Sequence, residues 1–394
     1  MQRFACYTVG ALSALIALSV AAPAPADACG GCFAPSETVT TVDSHRMVVS
    51  LSPERSILWD QIVYSGNPKD FVWVLPVPSA DAQIEIADSA FFDELEAGTQ
   101  PRVQPENPPP PGSCFGCCSA GASDSAPVED DVIVYNEQVV GPYETVTIGS
   151  QDADALQNYL VENGYRVVES TVPTIMHYVD QGAVFIVLRL APGQGVQAMQ
   201  PVRVTYPGYM STFPLKMVTV GASGLLDLSL WVVAEQRYEA YNYENALIDR
   251  DALVWDWTDN TSNYPTAFRR TIDDRGGRVW VTEFSGQLAE IFFTSGAETA
   301  LISQDIPVPY VTRLRTSMRI ENLNEDLILV PAEDPSPVGR TIVAGREIER
   351  PFGDAEEDGC TVNGNSRAHV AMIAFILLST WWFWRRPRRR RELA

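Results

Sequence analysis

The chain has 394 residues and a formal net charge of −22, with 46% hydrophobic and 10% aromatic residues. An acidic field of that size repels nucleic acid and anionic lipid surfaces and attracts cations or basic partners, although the same charge also serves plain solubility. Apolar and aromatic side chains are numerous enough for real cores, which excludes a disordered filament.

Arg3, an apolar core over residues 9–22 and the small-residue site Ala26-Asp27-Ala28 follow one another as the three parts of a secretory signal. Residues 1–28 therefore predict export, with signal peptidase cutting after Ala28. Lipid attachment at Cys29 is the weaker alternative, because Asp27 stands where a lipoprotein signal wants a small residue.

Short β-rich runs at 45–51, 57–64 and 71–75, divided by Ser-Pro-Glu-Arg and Gly-Asn-Pro-Lys-Asp turns, predict antiparallel strands. Pro76 and Pro78 should end the pairing, since proline lacks the ladder donor. Residues 88–97 predict a short helix with Phe91, Phe92 and Leu95 near one face and Gly98 as its stop.

Residues 104–131, with prolines at 108–111, the cluster Cys114-Phe-Gly-Cys117-Cys118 and then small and acidic residues, predict a loop. Strands are expected at 132–139 and 143–148, then a helix capped by Asp152 and ended by Gly164. The β pattern returns at 183–190, 202–206, 215–220 and 226–234. The first of these is almost continuously apolar, as in a central strand covered on both faces.

An exported portion of roughly 340 residues exceeds the usual single domain, so two lobes are expected, 29–237 and 238–330. Residues 331–359, rich in proline and acid, predict an extended stalk. The apolar stretch 369–384, with Trp381, Trp382 and Trp384 at its end and six arginines between 385 and 391 after it, predicts a transmembrane helix with a cytoplasmic tail. With the signal and everything from residue 367 removed, the remainder carries a net charge of about −28.

Five cysteines of the exported portion are disulfide candidates: Cys29, Cys32, Cys114, Cys117 and Cys118. An oxidising compartment favours disulfides stapling the amino end to the proline loop. Zinc held by the same thiolates is the alternative, but structural zinc spacing puts its pairs much closer in sequence. Redox exchange fits less well, because nothing helical opens at Cys29 to stabilise a thiolate.

His45, in an expected strand, and His177 lack any partner pattern for a Ser-His-Asp or Cys-His enzyme. Asp152/Asp154, Asp249/Asp251, Asp256/Asp259 and Asp273/Asp274 suggest calcium ligands or glycosidase acids, yet none has the ordered spacing of a calcium loop. No phosphate-cradling glycine loop occurs, so no nucleotide or other cofactor is expected.

Taken together, Cys29-Gly-Gly-Cys32-Phe-Ala-Pro35, Asp70-Phe-Val-Trp-Val-Leu-Pro-Val-Pro78, Val140-Gly-Pro-Tyr-Glu-Thr-Val146 and Phe213-Pro-Leu-Lys-Met217 resemble the domain-of-unknown-function family 2330 (DUF2330), common among exported proteins of myxobacteria and their relatives. The resemblance implies architecture and export but no catalytic residues. The carboxyl end, Cys360 followed by a spacer, the apolar run and the arginines, resembles the MYXO-CTERM sorting signal. That likeness implies a sorting protease acting near Cys360 and retention at the cell surface.

The expected protein is thus α+β, mainly antiparallel β with a few short helices, in two lobes with one C-terminal transmembrane helix. Its expected partners are the membrane, the export machinery with signal peptidase and the sorting protease, with no nucleic acid. The function expected is that of a membrane-anchored cell-envelope protein with a non-enzymatic binding or structural role. The alternative is a carboxylate-dependent hydrolase of an envelope or extracellular polymer.

Overall fold

Alternation of apolar side chains along the longer strands sets the layers of the fold. The computed structural model describes residues 32–33, 41–65, 72–106, 137–149, 153–163, 169–191, 194, 199–220, 222, 224–294 and 296–348. All of them belong to one compact unit ending at Ile348. The signal, most of the proline-cysteine loop, Asp152, Gly164 and everything from residue 349 lie outside the described residues.

In chain order come β1 (Cys32–Phe33), β2 (Thr41–Leu51), β3 (Arg55–Ser65), β4 (Val72–Val77), β5 (Gln83–Ile86), α1 (Ser89–Thr99) and β6 (Arg102–Gln104). Next are β7 (Glu137–Val140), β8 (Tyr143–Gly149), α2 (Ala153–Glu162), α3 (Val172–Asp180), β9 (Val184–Leu190), β10 (Val202–Pro207), β11 (Thr212–Phe213), α4 (Leu215–Val218) and β12 (Leu225–Ala234). The rest are β13 (Tyr238–Ala240), β14 (Glu244–Ala246), β15 (Val254–Asp256), β16 (Thr261–Ser262), α5 (Tyr264–Asp273), β17 (Val279–Gln287), α6 (Ala297–Asp305), β18 (Tyr310–Arg319), β19 (Leu327–Pro331), β20 (Thr341–Val343) and β21 (Arg346–Ile348).

Two sheets dominate: five strands ordered β1-β4-β9-β8-β7, and eight ordered β14-β17-β18-β12-β2-β3-β10-β5. The first is antiparallel throughout, and the second is antiparallel except where β12 meets β2 and β14 meets β17. Trp73, Leu75 and Val77 of β4 share one buried core with Met47 and Val49 of β2 and Leu228, Leu230 and Val232 of β12, so the sheets face one another. The intervening residues face outward: Val72 and Val74 pack with Leu160 of α2 and Ile175 of α3, while Trp231 and Val233 pack with Phe91, Phe92 and Leu95 of α1. The period of two thus builds helix, sheet, sheet and helix layers.

The fold is mainly antiparallel β with a few short helices, as the α+β reading holds. The two-lobe division does not match the sheet. β17 and β18, from the expected second lobe, join β12 and β2 of the first in one eight-stranded ladder with no break near Tyr238. The start of the expected stalk is also part of this unit: β20 pairs with β6, β21 pairs with β15, and Val338 and Ser285 exchange backbone hydrogen bonds. Residues 349–359 of the stalk lie outside the described residues.

Strand pairing also runs through Pro76, opposite Phe185, rather than stopping there. On its other side β4 has a described partner only at Val72 and Trp73, so a missing donor costs little. Helix α1 passes Gly98 and ends after Thr99, where Gln100 leaves the helical region at ψ 132°; Gly98 serves a close approach, since a Cβ there would come within 2.5 Å of Ile291 Cγ2. The expected strand over 215–220 is the short helix α4. No helix among the described residues is long and apolar enough to cross a membrane, and the expected span at 369–384 lies outside them.

Candidate functional site

Near several polar side chains lies a cleft of about 240 Å³ bordered by Pro76, Val77, Pro78, Tyr178, Gln181, Ala183, Met210, Thr212, Pro214 and Asp326. Three local structures shape it. The end of β4 supplies the prolines. Helix α3 begins with proline in its first turn and buries Ile175, Tyr178 and Val179, so Tyr178 is aimed inward. Its end is closed by Gly182 at φ 75°, whose N–H donates to Val179 O at 2.9 Å, which turns Gln181 and Ala183 toward the cleft. Asp326 sits in the turn before β19.

Helix α4 has no side-chain cap from Pro214, and two distant residues take that role. Asp326 Oδ1 accepts from the Lys216 N–H at 3.0 Å, and the Tyr178 hydroxyl accepts from the Met217 N–H at 3.1 Å. The Tyr178 hydroxyl itself donates to Asp326 Oδ1 at 2.5 Å. Free helix-start donors are thereby satisfied, and the carboxylate lies where the helix dipole favours negative charge. Burial, with the Asp326 charge and hydrogen bond added, pushes the Tyr178 phenol far above its ordinary range. It is a neutral donor and cannot serve as a base.

The second carboxylate oxygen has a looser neighbour. His177 Nε2 lies 3.7 Å from Asp326 Oδ2 and 2.9 Å from Gln181 Nε2. Which partner donates in the Gln181 contact follows the imidazole tautomer. Asp326 is the only acidic residue among the described residues lining the cleft. The arrangement therefore offers an anchored acceptor beside an apolar rim of prolines and Met210, which suits recognition of a cationic or donor group.

Of the five cysteines, only Cys32 is described, by its backbone in β1; Cys29, Cys114, Cys117 and Cys118 lie outside, as do Ala28 and Cys360. No group of three or more His, Cys, Asp or Glu among the described residues is placed to hold a metal. The acidic pairs take local duties. Asp249 Oδ1 accepts from Asp251 N at 2.9 Å, Asp256 Oδ1 accepts from Thr258 N at 2.8 Å, and Asp274 pairs with Arg270 at 3.3 Å. Asp152 lies outside the described residues. His45 is buried in β2 near Asp60 of the paired strand β3, and His177 is half-exposed on α3 near Asp326, far away in sequence.

Sequence reading did not single out Tyr178, Gln181, Thr212 or Asp326. A signal was present, since Pro76-Val-Pro78 and Phe213-Pro-Leu-Lys-Met217 belong to two of the sequence blocks quoted for the resemblance, and they meet here. The family model for DUF2330, described as an uncharacterized protein conserved in bacteria, matches residues 23–329. The chain belongs to DUF2330. For this DUF2330 chain no curated protein matches. Among solved structures, baculovirus P35 is similar over 52% of this chain and 67% of that one, with 7% identity and a TM-score of 0.29, a likeness that carries no argument. The cleft is therefore read from its own chemistry.

Proposed function

We propose that this DUF2330 chain is an exported, membrane-anchored cell-envelope protein that binds a basic partner through the Asp326 cleft and catalyses no reaction. Its signal-like amino end and its apolar, arginine-tailed carboxyl end support export and anchoring, with the MYXO-CTERM-like arrangement around Cys360 supporting surface retention. The observation that carries the binding reading is the state of Asp326: it lines the cleft, its Oδ1 takes hydrogen bonds from Tyr178 and Lys216 N, and its Oδ2 has only the looser neighbour His177 Nε2 at 3.7 Å. A carboxylate so held is a poor proton shuttle and a good fixed counter-charge. The strong negative charge of the exported portion would bring basic partners to it.

A hydrolase of the two-carboxylate kind needs a second acid across the cleft, and none lines it among the described residues. The test uses the full chain purified in detergent and titrated with lysine- and arginine-containing peptides and with their acetylated or citrulline forms. Binding of the charged forms alone, lost in Asp326→Asn with unchanged circular dichroism, supports the reading. Equal binding of charged and neutral forms would sink it. Protease accessibility on intact cells and mass analysis of the mature carboxyl terminus test the export and anchoring part separately.

A further inference from the structure

A second polar pair lies in the space between the two sheets. His45 and Asp60 are 1% and 3% exposed, and both ring nitrogens of His45 and Oδ1 of Asp60 have no hydrogen-bond partner within the protein. In the β2–β3 ladder Asp60 stands opposite Met47 and His45 opposite Ile62, so the pair is diagonal on the inward face. Nδ1 and Oδ1 are 3.4 Å apart, beyond a normal N–H···O bond. Both residues border a cavity of about 30 Å³, walled otherwise by apolar side chains such as Trp73, Leu75, Leu230 and Met217.

Leaving three buried polar atoms dry is costly, so the cavity's chemistry calls for a guest. The guest must donate to Asp60 Oδ1, accept from whichever His45 nitrogen carries the proton, and fit a space of about one or two water centres. A divalent ion is the competing occupant, because 3.4 Å is also a reasonable separation between two metal ligands. Only one imidazole and one carboxylate are available, which would leave a net positive charge buried among apolar groups. Two protein ligands also fall short of the three or four that a zinc site uses, whereas a water needs only two to four polar partners.

We infer that the His45–Asp60 cavity is an internal binding site for one water molecule, which bridges the imidazole and the carboxylate and completes the polar part of the sandwich core. Pro214 lines both this cavity and the outer cleft.

The test compares the full chain with two variants by oxygen-17 magnetic relaxation dispersion, which counts long-lived internal waters, and by elemental analysis for metals. His45→Leu with Asp60→Ala together roughly conserves total side-chain volume and removes both polar groups; Asp60→Asn keeps an acceptor oxygen but not the charge. The expected result is one water fewer in the double variant, an unchanged count in Asp60→Asn, and no stoichiometric metal in any. An equal count in the double variant and the unsubstituted chain overturns the inference, as does one equivalent of metal that both variants lose.

Discussion

Glu283→Gln should unfold this protein far more readily than its small change in shape suggests. Between Thr282 and Phe284 the β17–β18 register shifts, and the resulting bulge presents Glu283 to Arg313. The two side chains are 0% and 2% exposed, with Glu283 Oε2 accepting from Arg313 Nε at 2.7 Å and Oε1 accepting from the Tyr264 hydroxyl at 2.7 Å. Arg313 also donates to Glu96 at 2.8 Å and to Thr99 at 3.2 Å, and its guanidinium lies 5.1 Å from the Trp231 ring centre. Burial works against the Arg313 charge, but Glu283 and Glu96 overcome it and hold the group protonated above its usual range. Glutamine removes the better-buried counter-charge and leaves one acceptor oxygen where the carboxylate offered two, to Arg313 Nε and to the Tyr264 hydroxyl. Breaking a buried pair from one side costs about 3–5 kcal/mol. Since Glu96 remains and is partly exposed, the low end, about 3 kcal/mol, is expected. Urea unfolding of the full chain, followed by tryptophan fluorescence, should show a midpoint lower by about 1 M for a slope near 3 kcal/mol/M. Asp274→Asn, in the exposed Arg270–Asp274 pair, is the control and should cost less than about 0.5 kcal/mol. Glu283→Leu combined with Arg313→Met should recover most of the loss, because no unpaired charge is left behind. A Glu283→Gln midpoint indistinguishable from the Asp274→Asn control would refute the reasoning.

Alkaline stability is a second expectation. Burial raises the phenols of Tyr178, Tyr206, Tyr238, Tyr243 and Tyr264 above their ordinary value, to about 12 for Tyr243. A raised folded value means the unfolded chain ionises first, so stability is intact below pH ~10 and is lost as pH climbs through ~12. Absorbance at 295 nm with thermal unfolding from pH 8 to 12 reads this, and one uniform tyrosine step near pH 10 in the folded protein would contradict it. Gly277→Ala forces a side chain onto φ 77° and brings Cβ within 2.8 Å of Asn322 Nδ2, whereas Gly276→Ala meets φ 78° with nothing within 4 Å. Both should cost about 1–2 kcal/mol through the backbone, with Gly277→Ala the worse in urea unfolding. Asp88→Ala removes the acceptor for Ala90 N at 2.9 Å at the start of α1 and should cost about 1 kcal/mol, read by the same midpoint shift.

Parts of the fold were legible wherever a strand met its neighbours in an ordinary way. The apolar run that became β9 predicted a central strand, and β9 lies between β4 and β8 with its side chains divided between two cores. The alternation over 226–234 likewise became β12. Local pattern misled at 215–220, where adjacent apolar residues read as a strand but form α4. The donors at that helix start are satisfied by Tyr178 and Asp326, from well before it and about 110 residues after it. Prolines and acids over 331–348 read as a stalk, yet short edge pairings with β6 and β15 tie that segment down.

The sequence by itself determined the class of the fold, the family and the amphipathic period of the main strands, because each depends on neighbours along the chain. Tertiary structure alone decided that β17 and β18 complete a sheet begun by β2, so no second lobe separates. It also brought Asp326 to Tyr178, Asp60 to His45 and Glu283 to Arg313. The physical reason is that a strand's pattern specifies that it pairs but not with which strand, while a polar side chain's role depends on which partner burial leaves within reach.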